Sequence, residues 1–283
     1  MAIETVGVIG AGTMGSGIAQ SFAVAGFPVL LQDLNAEALA RAKAGIATSL
    51  ERRSAKGRIP AETATAAIAR IETATDVASL EGRDLVVEAI VENVEIKSKL
   101  LQRLDTICGE ATIFASNTSS ISLTRLAAAS IRPERVIGMH FFNPVPLMQL
   151  VEIIRALQTS DEVCAQIMDL TRAIGKTPRV SKDSYGFVVN RVLVPMINEA
   201  INCVYEGVAS PEDVDEMMKL GANHPMGPLS LGDLIGLDIV LDIMETLYGG
   251  FCDPKFRPSP LLQQMVNAGY LGRKSGRGFF VYG

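Results

Sequence analysis

Histidine is nearly missing from this chain: its 283 residues hold two, His140 and His224. Side chains that ordinarily change charge near neutral pH are therefore almost confined to those two positions. Cysteine is sparse as well. Cys108, Cys164, Cys203 and Cys252 are scattered and form no CxxC pair, the pattern of reduced, buried thiols in a cytosolic protein. Long basic runs are absent and the formal net charge is −5, which argues against a nucleic-acid partner. An anionic ligand stays open, because local lysines and helix N-termini can hold one. No uncharged apolar stretch reaches the ~18 residues that a membrane span requires. The N-terminus lacks a basic leader segment and enters the strand pattern Ile3-Glu4-Thr5-Val6-Gly7-Val8-Ile9 at once, so a signal peptide is not expected and a cytoplasmic location is.

What is present is a globular profile, 48% hydrophobic and 20% charged, on a chain whose length suits two domains. After the Val6–Ile9 strand pattern comes Gly10-Ala11-Gly12-Thr13-Met14-Gly15, followed by a helical pattern. Gly10 permits a tight turn, Gly12 lets the backbone approach a pyrophosphate, and Gly15 lets the helix lie close to the strand. Thr13 and Met14 open that helix, whose N-terminal N–H groups can meet phosphate. A second strand pattern ends on Asp33, where a carboxylate can accept both ribose hydroxyls of an adenosine and would repel a 2′-phosphate; no arginine follows until Arg41. The expected cofactor is NAD rather than NADP.

Residues 36 to 70 read as two helices broken near Gly57-Arg58-Ile59-Pro60. Their basic cluster, Arg52, Arg53, Lys56 and Arg58, is either a solvated helix face or a contact for the phosphates of a large anionic substrate. Strand patterns recur at Leu85–Val91, Thr112–Ala115 and Arg135–Met139, separated by helical segments. This alternation predicts an α/β fold with a parallel, doubly covered sheet, whose ligands sit beyond the carboxyl ends of the strands. Glu92, Asn93, Ser116, Asn117, Ser119, His140 and Asn143 all lie just past such ends.

From about Ser184 the pattern turns helical. Asn190 starts an otherwise apolar helix, where it either faces an interdomain cleft or caps a local carbonyl. Ser210-Pro211-Glu212-Asp213 is a helix start, and Gly232–Leu247 reads as one apolar helix. Such a block packs on the sheet domain or forms a subunit interface.

Residues 116 to 152 carry the chemistry. They hold the hydroxyl cluster Ser116-Asn117-Thr118-Ser119-Ser120, then His140-Phe141-Phe142-Asn143-Pro144, then Val151-Glu152. A histidine, a carboxylate able to orient it and hydroxyls to hold an oxygen make a proton-transfer set. Such a set could serve an enzyme that oxidises a hydroxyl, a small hydroxy acid or sugar acid among the substrates open to it, or survive in a binding protein that keeps the cofactor pocket alone. His224, in a loop before proline, reads as structural.

The segments VIGAGTMGSGIAQ, DLVVEAIVEN, IFASNTSSIS, IGMHFFNPVPLMQLVEII, GFVVNRVLVPMINEA, MKLGANHPMGPLSLGDLIGLD and GRKSGRGFFVY resemble the 3-hydroxyacyl-CoA dehydrogenase family, in order and over nearly the whole chain. The resemblance implies a Rossmann-type doubly wound sheet domain over residues 1–184 and an all-α C-terminal domain over 185–283 for substrate and dimerisation. It implies His140 and Glu152 as the catalytic pair, Ser119 and Asn190 on the reacting oxygen, and NAD contacts at Glu92, Lys97, Asn117, Asn143 and Lys274. An acyl-CoA substrate, best a four-carbon one of (S) configuration, and a homodimer follow from the same source, and Arg52 and Lys56 become candidates for the CoA phosphates. The family usually has proline before Gly186-Phe187; this chain has Tyr185, so a less rigid entry into the second domain is expected.

Overall fold

A computed structural model describes residues 3–283. The chain divides into two compact units, Met1–Asp183 and Ser184–Gly283.

The first unit is built on eight strands: β1 (Val6–Ile9), β2 (Val29–Gln32), β3 (Ile71–Ala74), β4 (Leu85–Glu88), β5 (Ile113–Ser116), β6 (Val136–Phe141), β7 (Leu150–Arg155) and β8 (Thr177–Lys182). They form one sheet in the order β3-β2-β1-β4-β5-β6-β7-β8. The central strands β1, β2, β4 and β5 are buried along their whole length, as expected of short apolar runs covered by helices on both faces. From β1 the chain winds outward through β2 and β3, then returns to add β4, β5 and β6 on the other side. The switch between β1 and β4 opens a crevice at their carboxyl ends.

The expectation of a wholly parallel sheet is corrected at one joint. β7 runs antiparallel to β6, with His140 directly opposite Glu152. The connection Phe142–Gln149 is too short for a parallel crossover, which takes about a dozen residues or more. β8 then pairs with β7 in parallel. The edge strands β3 and β8 escaped the sequence reading because each buries little: one of four residues in β3 and one of six in β8.

Helices α1 (Thr13–Val24), α2 (Ala36–Ala55), α3 (Ala61–Ala69), α4 (Val94–Ile107), α5 (Leu123–Ala127) and α6 (Asp161–Ala173) complete this unit. α2 and α3 break where the glycine and proline predict. Asn35 and Asn93 cap α2 and α4 by accepting two backbone N–H groups each, so Asn93 is used as a cap. Ile18, Phe22, Leu31, Leu50, Leu85, Val87, Ile137, Met139 and Ile153 form the core. Each contributes ~1.5–3 kcal/mol of burial before chain entropy is set against it.

The second unit holds α7 (Val189–Tyr205), α8 (Pro211–Ala222), α9 (Pro228–Ile235), α10 (Leu237–Phe251) and α11 (Pro260–Asn267) around Ile197, Ile201, Leu229, Leu237, Val240, Met244 and Leu262. The single helix expected over Gly232–Leu247 is two, because Gly236 sits at φ +106, a conformation only glycine takes readily. Tyr185, in place of the usual proline, gains its own anchor: its ring packs on Gly250 and meets Phe251 edge-on at 5.3 Å. The Arg191 guanidinium lies 4.4 Å from the Phe251 ring centroid.

The C-terminal strand-like tail is fastened by Asp233, which accepts hydrogen bonds from Phe279 N (3.0 Å), Phe280 N (3.0 Å) and Tyr282 Oη (2.9 Å) while itself almost fully buried. Replacing Asp233 by alanine leaves these donors unpaired and should cost about 2–4 kcal/mol, read as a lower urea midpoint of the full-length protein. An unchanged midpoint would show that the tail contributes nothing to the unit.

Candidate active site

The glycine turn after β1 has the shape that a dinucleotide requires. Gly10 stands at φ +100, and a Cβ there would lie 2.6 Å from the Ala89 carbonyl oxygen. A Cβ on Gly15 would collide with the Gly10 carbonyl, so helix and turn meet backbone to backbone. Gly12 differs, since nothing lies within 4 Å of its missing Cβ. That open space is what a pyrophosphate would use. α1 begins on Gly12 with neither a side-chain cap nor an acidic residue in its first turn, so the N–H groups of Thr13, Met14 and Gly15 are left for an anion. The groove in front, about 380 Å³, is lined among others by Thr13, Arg41 and Asn143. Asp33 accepts from Ala11 N at 2.7 Å and from Asn35 N at 2.9 Å, which aims its carboxylate and leaves lone pairs for hydroxyls. These residues fit NAD.

Two strand ends farther along stands a relay of side chains. His140 Nδ1 is 2.8 Å from Glu152 Oε2, and His140 Nε2 is 2.9 Å from Ser119 Oγ. His140 and Glu152 are 4% and 3% exposed, so little water competes for either. The pair exists because directly opposed residues on antiparallel strands present side chains to the same face. A proton on Nδ1 is the one that Glu152 can accept a bond from, and the tautomer that carries it there turns the Nε2 lone pair toward the Ser119 hydroxyl. The Phe142 ring closes one side, its centroid 4.6 Å from that of the imidazole.

Ser119 is held by its backbone. Glu92 Oε1 accepts from Ser119 N (3.0 Å), Ser120 N (3.0 Å), Ser120 Oγ (2.9 Å) and the Thr118 hydroxyl. Burial opposes ionisation of Glu92, but Lys97 and these hydrogen bonds outweigh it and hold the carboxyl below the usual carboxylate range. Behind it, Lys97 Nζ donates to both oxygens of Glu88 at 2.8 and 2.7 Å and lies 3.4 Å from Glu92 Oε2. Asn117 Oδ1 accepts from Phe141 N at 2.9 Å, tying the loop after β5 to β6.

Of the residues predicted from sequence, the structure brings Ser119, His140, Glu152, Glu92 and Asn117 together at the carboxyl edge of the sheet. Lys97 is drawn inward, 2% exposed, with its ammonium on Glu88. Asn190 and Lys274 belong to the second unit, Asn190 on the first turn of α7 and Lys274 paired with Asp238 at 2.5 Å. Arg52 and Lys56 line a cleft of about 540 Å³ together with Arg53, Arg58, Pro144 and Leu147, and no acid lines it. Burial, then the neighbouring Arg58, lowers the Arg53 pKa. Under the loop that walls this cleft, Lys176 Nζ donates to the carbonyls of Val145 and Met148, both at 2.6 Å. Its pKa is lowered by burial and then by Arg53. Glu88 and Lys176 were not among the residues singled out from the sequence. A lone acid in the apolar run Leu85-Val86-Val87-Glu88, with a lysine on the following helix, was the available signal for the first.

Family models agree with this geometry. The 3-hydroxyacyl-CoA dehydrogenase NAD binding domain matches residues 5–184, and the C-terminal domain of the same family matches residues 186–282. The 3-hydroxybutyryl-CoA dehydrogenase of Bradyrhizobium diazoefficiens is 51% identical over 280 residues, 99% of this chain and 96% of that one. The human mitochondrial hydroxyacyl-coenzyme A dehydrogenase is 45% identical over 288 residues, 99% and 91% of the two chains. Among solved structures, the (S)-3-hydroxybutyryl-CoA dehydrogenase of Ralstonia eutropha superposes with a TM-score of 0.97 at 54% identity, over 100% of both chains.

The two glycines of the turn should separate on mutation. Gly12→Ala leaves the unliganded protein as stable as wild type but weakens NADH binding about tenfold or more, because the methyl occupies the space for phosphate. Gly15→Ala destabilises the protein itself, since helix and turn must move apart. Calorimetric NADH titration beside urea unfolding checks both, and equal behaviour of the two variants would contradict the assignment.

Proposed function

Because the chain belongs to the 3-hydroxyacyl-CoA dehydrogenase family and is an NAD-dependent oxidoreductase, we propose that it interconverts (S)-3-hydroxybutyryl-CoA and acetoacetyl-CoA, with His140 and Glu152 as its general-base pair. The observation that carries the reading is the Ser119–His140–Glu152 relay at the carboxyl edge of a sheet whose first turn fits a dinucleotide.

In the oxidative direction His140 Nε2, the bare nitrogen, takes the proton of the 3-hydroxyl. Glu152 keeps the imidazole in the tautomer whose Nε2 can accept that proton, and it stabilises the imidazolium as charge develops. Ser119, already in contact with Nε2, holds the same oxygen, a role that the family resemblance extends to Asn190. NAD, when bound, supplies the hydride acceptor. In the reverse direction the imidazolium returns the proton to the oxygen. Glu92, Asn117, Asn143 and Lys274 complete the cofactor contacts in this reading.

A small hydroxy acid without CoA is the competing substrate, and the basic cleft weighs against it. Four cations with no acid among the lining residues match the several phosphates of CoA and exceed what one carboxylate needs. A homodimer through the helical unit is supported by the exposed apolar side chains Tyr205, Val208, Met217 and Leu220. A cytoplasmic place of action belongs to the same reading.

Acetoacetyl-CoA should oxidise NADH at a rate far above free acetoacetate; no turnover with either would leave only a cofactor-binding protein. His140→Ala and Glu152→Gln should each lower kcat ~10²–10⁴-fold, while His224→Ala keeps it. Retained turnover in His140→Ala sinks the assignment of the base. Lys56→Ala should raise KM for acetoacetyl-CoA more than for a truncated acetoacetyl thioester. Equal effects on the two substrates would return Lys56 to a solvated helix face.

A further inference from the structure

We propose that the buried Glu88–Lys97 pair is a positioning device for Ser119, acting through Glu92, and that Lys97 serves the reaction from inside the protein rather than by touching the cofactor. The proposal rests on the reading of Ser119 and His140 as the groups that hold and move the proton.

The connections run in one direction. Lys97, 2% exposed, spends its short contacts on the two oxygens of Glu88, at 2.8 and 2.7 Å. Among the described residues its other charged neighbour is Glu92 Oε2, at 3.4 Å. Opposite that oxygen, Glu92 Oε1 gathers the backbone N–H groups of Ser119 and Ser120 and the hydroxyls of Thr118 and Ser120. Glu88 reaches the same loop from below: the Ser116 hydroxyl donates to it, and the Ser116 oxygen accepts from Thr118 N at 3.2 Å. The loop is therefore gripped at both ends, and Ser119 Oγ is left 2.9 Å from His140 Nε2.

A buried ion pair is a poor way to gain stability. Removing two charges from water costs several kcal/mol per ion, and an apolar pair of similar size is often as stable or more so. What an ion pair can do better is fix direction. Here the Glu88 carboxylate, two strands from His140, sets where Lys97 stands. Lys97 in turn holds Glu92 in the charged state that accepts from the loop. If the pair only held β4 to α4, the loop contacts would be incidental and an apolar replacement would leave the chemistry alone.

That contrast is measurable in the full-length protein carrying Glu88→Met and Lys97→Met together, which removes both charges of the pair and leaves Glu92 without its lysine. Amide exchange in the Ser116–Ser122 segment should speed about tenfold as the clamp on Ser119 N and Ser120 N loosens. With NADH and acetoacetyl-CoA saturating, kcat should fall about tenfold or more while the dissociation constant of NADH stays within about threefold, and adding Ser119→Ala should lower kcat little further. Should the double variant fail to fold, Glu92→Gln at the rim gives the exchange and kcat readouts with the pair intact. Unchanged exchange, or full kcat with a weakened NADH complex, would overturn the proposal, the second by assigning Lys97 to the cofactor. A wild-type protein that ignores acetoacetyl-CoA yet shows the exchange difference would dispose of the substrate reading and leave the loop clamp standing.

Discussion

Reversal of chain direction between β6 and β7 is the constraint on which the site depends. In a parallel sheet, residues on neighbouring strands are offset and supplied by distant segments. The antiparallel turn back through Phe142–Gln149 instead sets His140 opposite Glu152 within one supersecondary unit. Register then fixes the chemistry. A slip of one residue would send one of the two side chains to the other face and leave a buried histidine and a buried acid without each other. The same short connection carries Asn143 into the groove before the glycine turn and Pro144 and Leu147 into the basic cleft, so one loop borders both.

Around that joint the protein places its buried charges in chains. Glu152 faces His140, Glu88 faces Lys97, and Asp105 accepts from Arg132 whose guanidinium lies 5.0 Å from the Phe114 ring centroid. Lys176 has two carbonyls in place of a carboxylate, and burial, then Arg53, lowers its pKa. These groups are costly to bury and rigid once satisfied. Rigidity is what a proton relay with 2.9 and 2.8 Å hydrogen bonds requires. Dispersion and burial in the Val8–Phe22–Leu31–Leu85–Met139 core supply the stability; the polar chains supply direction.

Much of this was legible in the residues. Four-residue apolar runs gave the central strands, Gly57 and Pro60 marked the break between α2 and α3, and Ser210 with Pro211 marked the start of α8. Strand direction was not legible from period, because parallel and antiparallel buried strands share the same apolar run; only the length of the β6–β7 link distinguished them. β3 and β8 were invisible for a different reason, as edge strands with Glu, Lys and Arg facing out carry no apolar run. Gly236 looked like one more small residue in an apolar helix, and its positive φ ends α9. In the site, motif and residue type pointed to Ser119, His140 and Glu152, which the fold gathers. Lys97 entered only as an NAD contact implied by the resemblance, since its burial depends on Glu88, which pattern alone does not pair with it.

The account turns on which imidazole nitrogen of His140 carries the proton. With only two histidines, a protein labelled with ¹⁵N-histidine gives spectra that a His224→Ala variant assigns at once. At a pH where the ring is neutral, the account predicts a protonated Nδ1 and a bare Nε2 in wild type, with that preference lost in Glu152→Gln. A proton resident on Nε2 would contradict it, because the nitrogen facing Ser119 could not then accept the proton of a hydroxyl substrate.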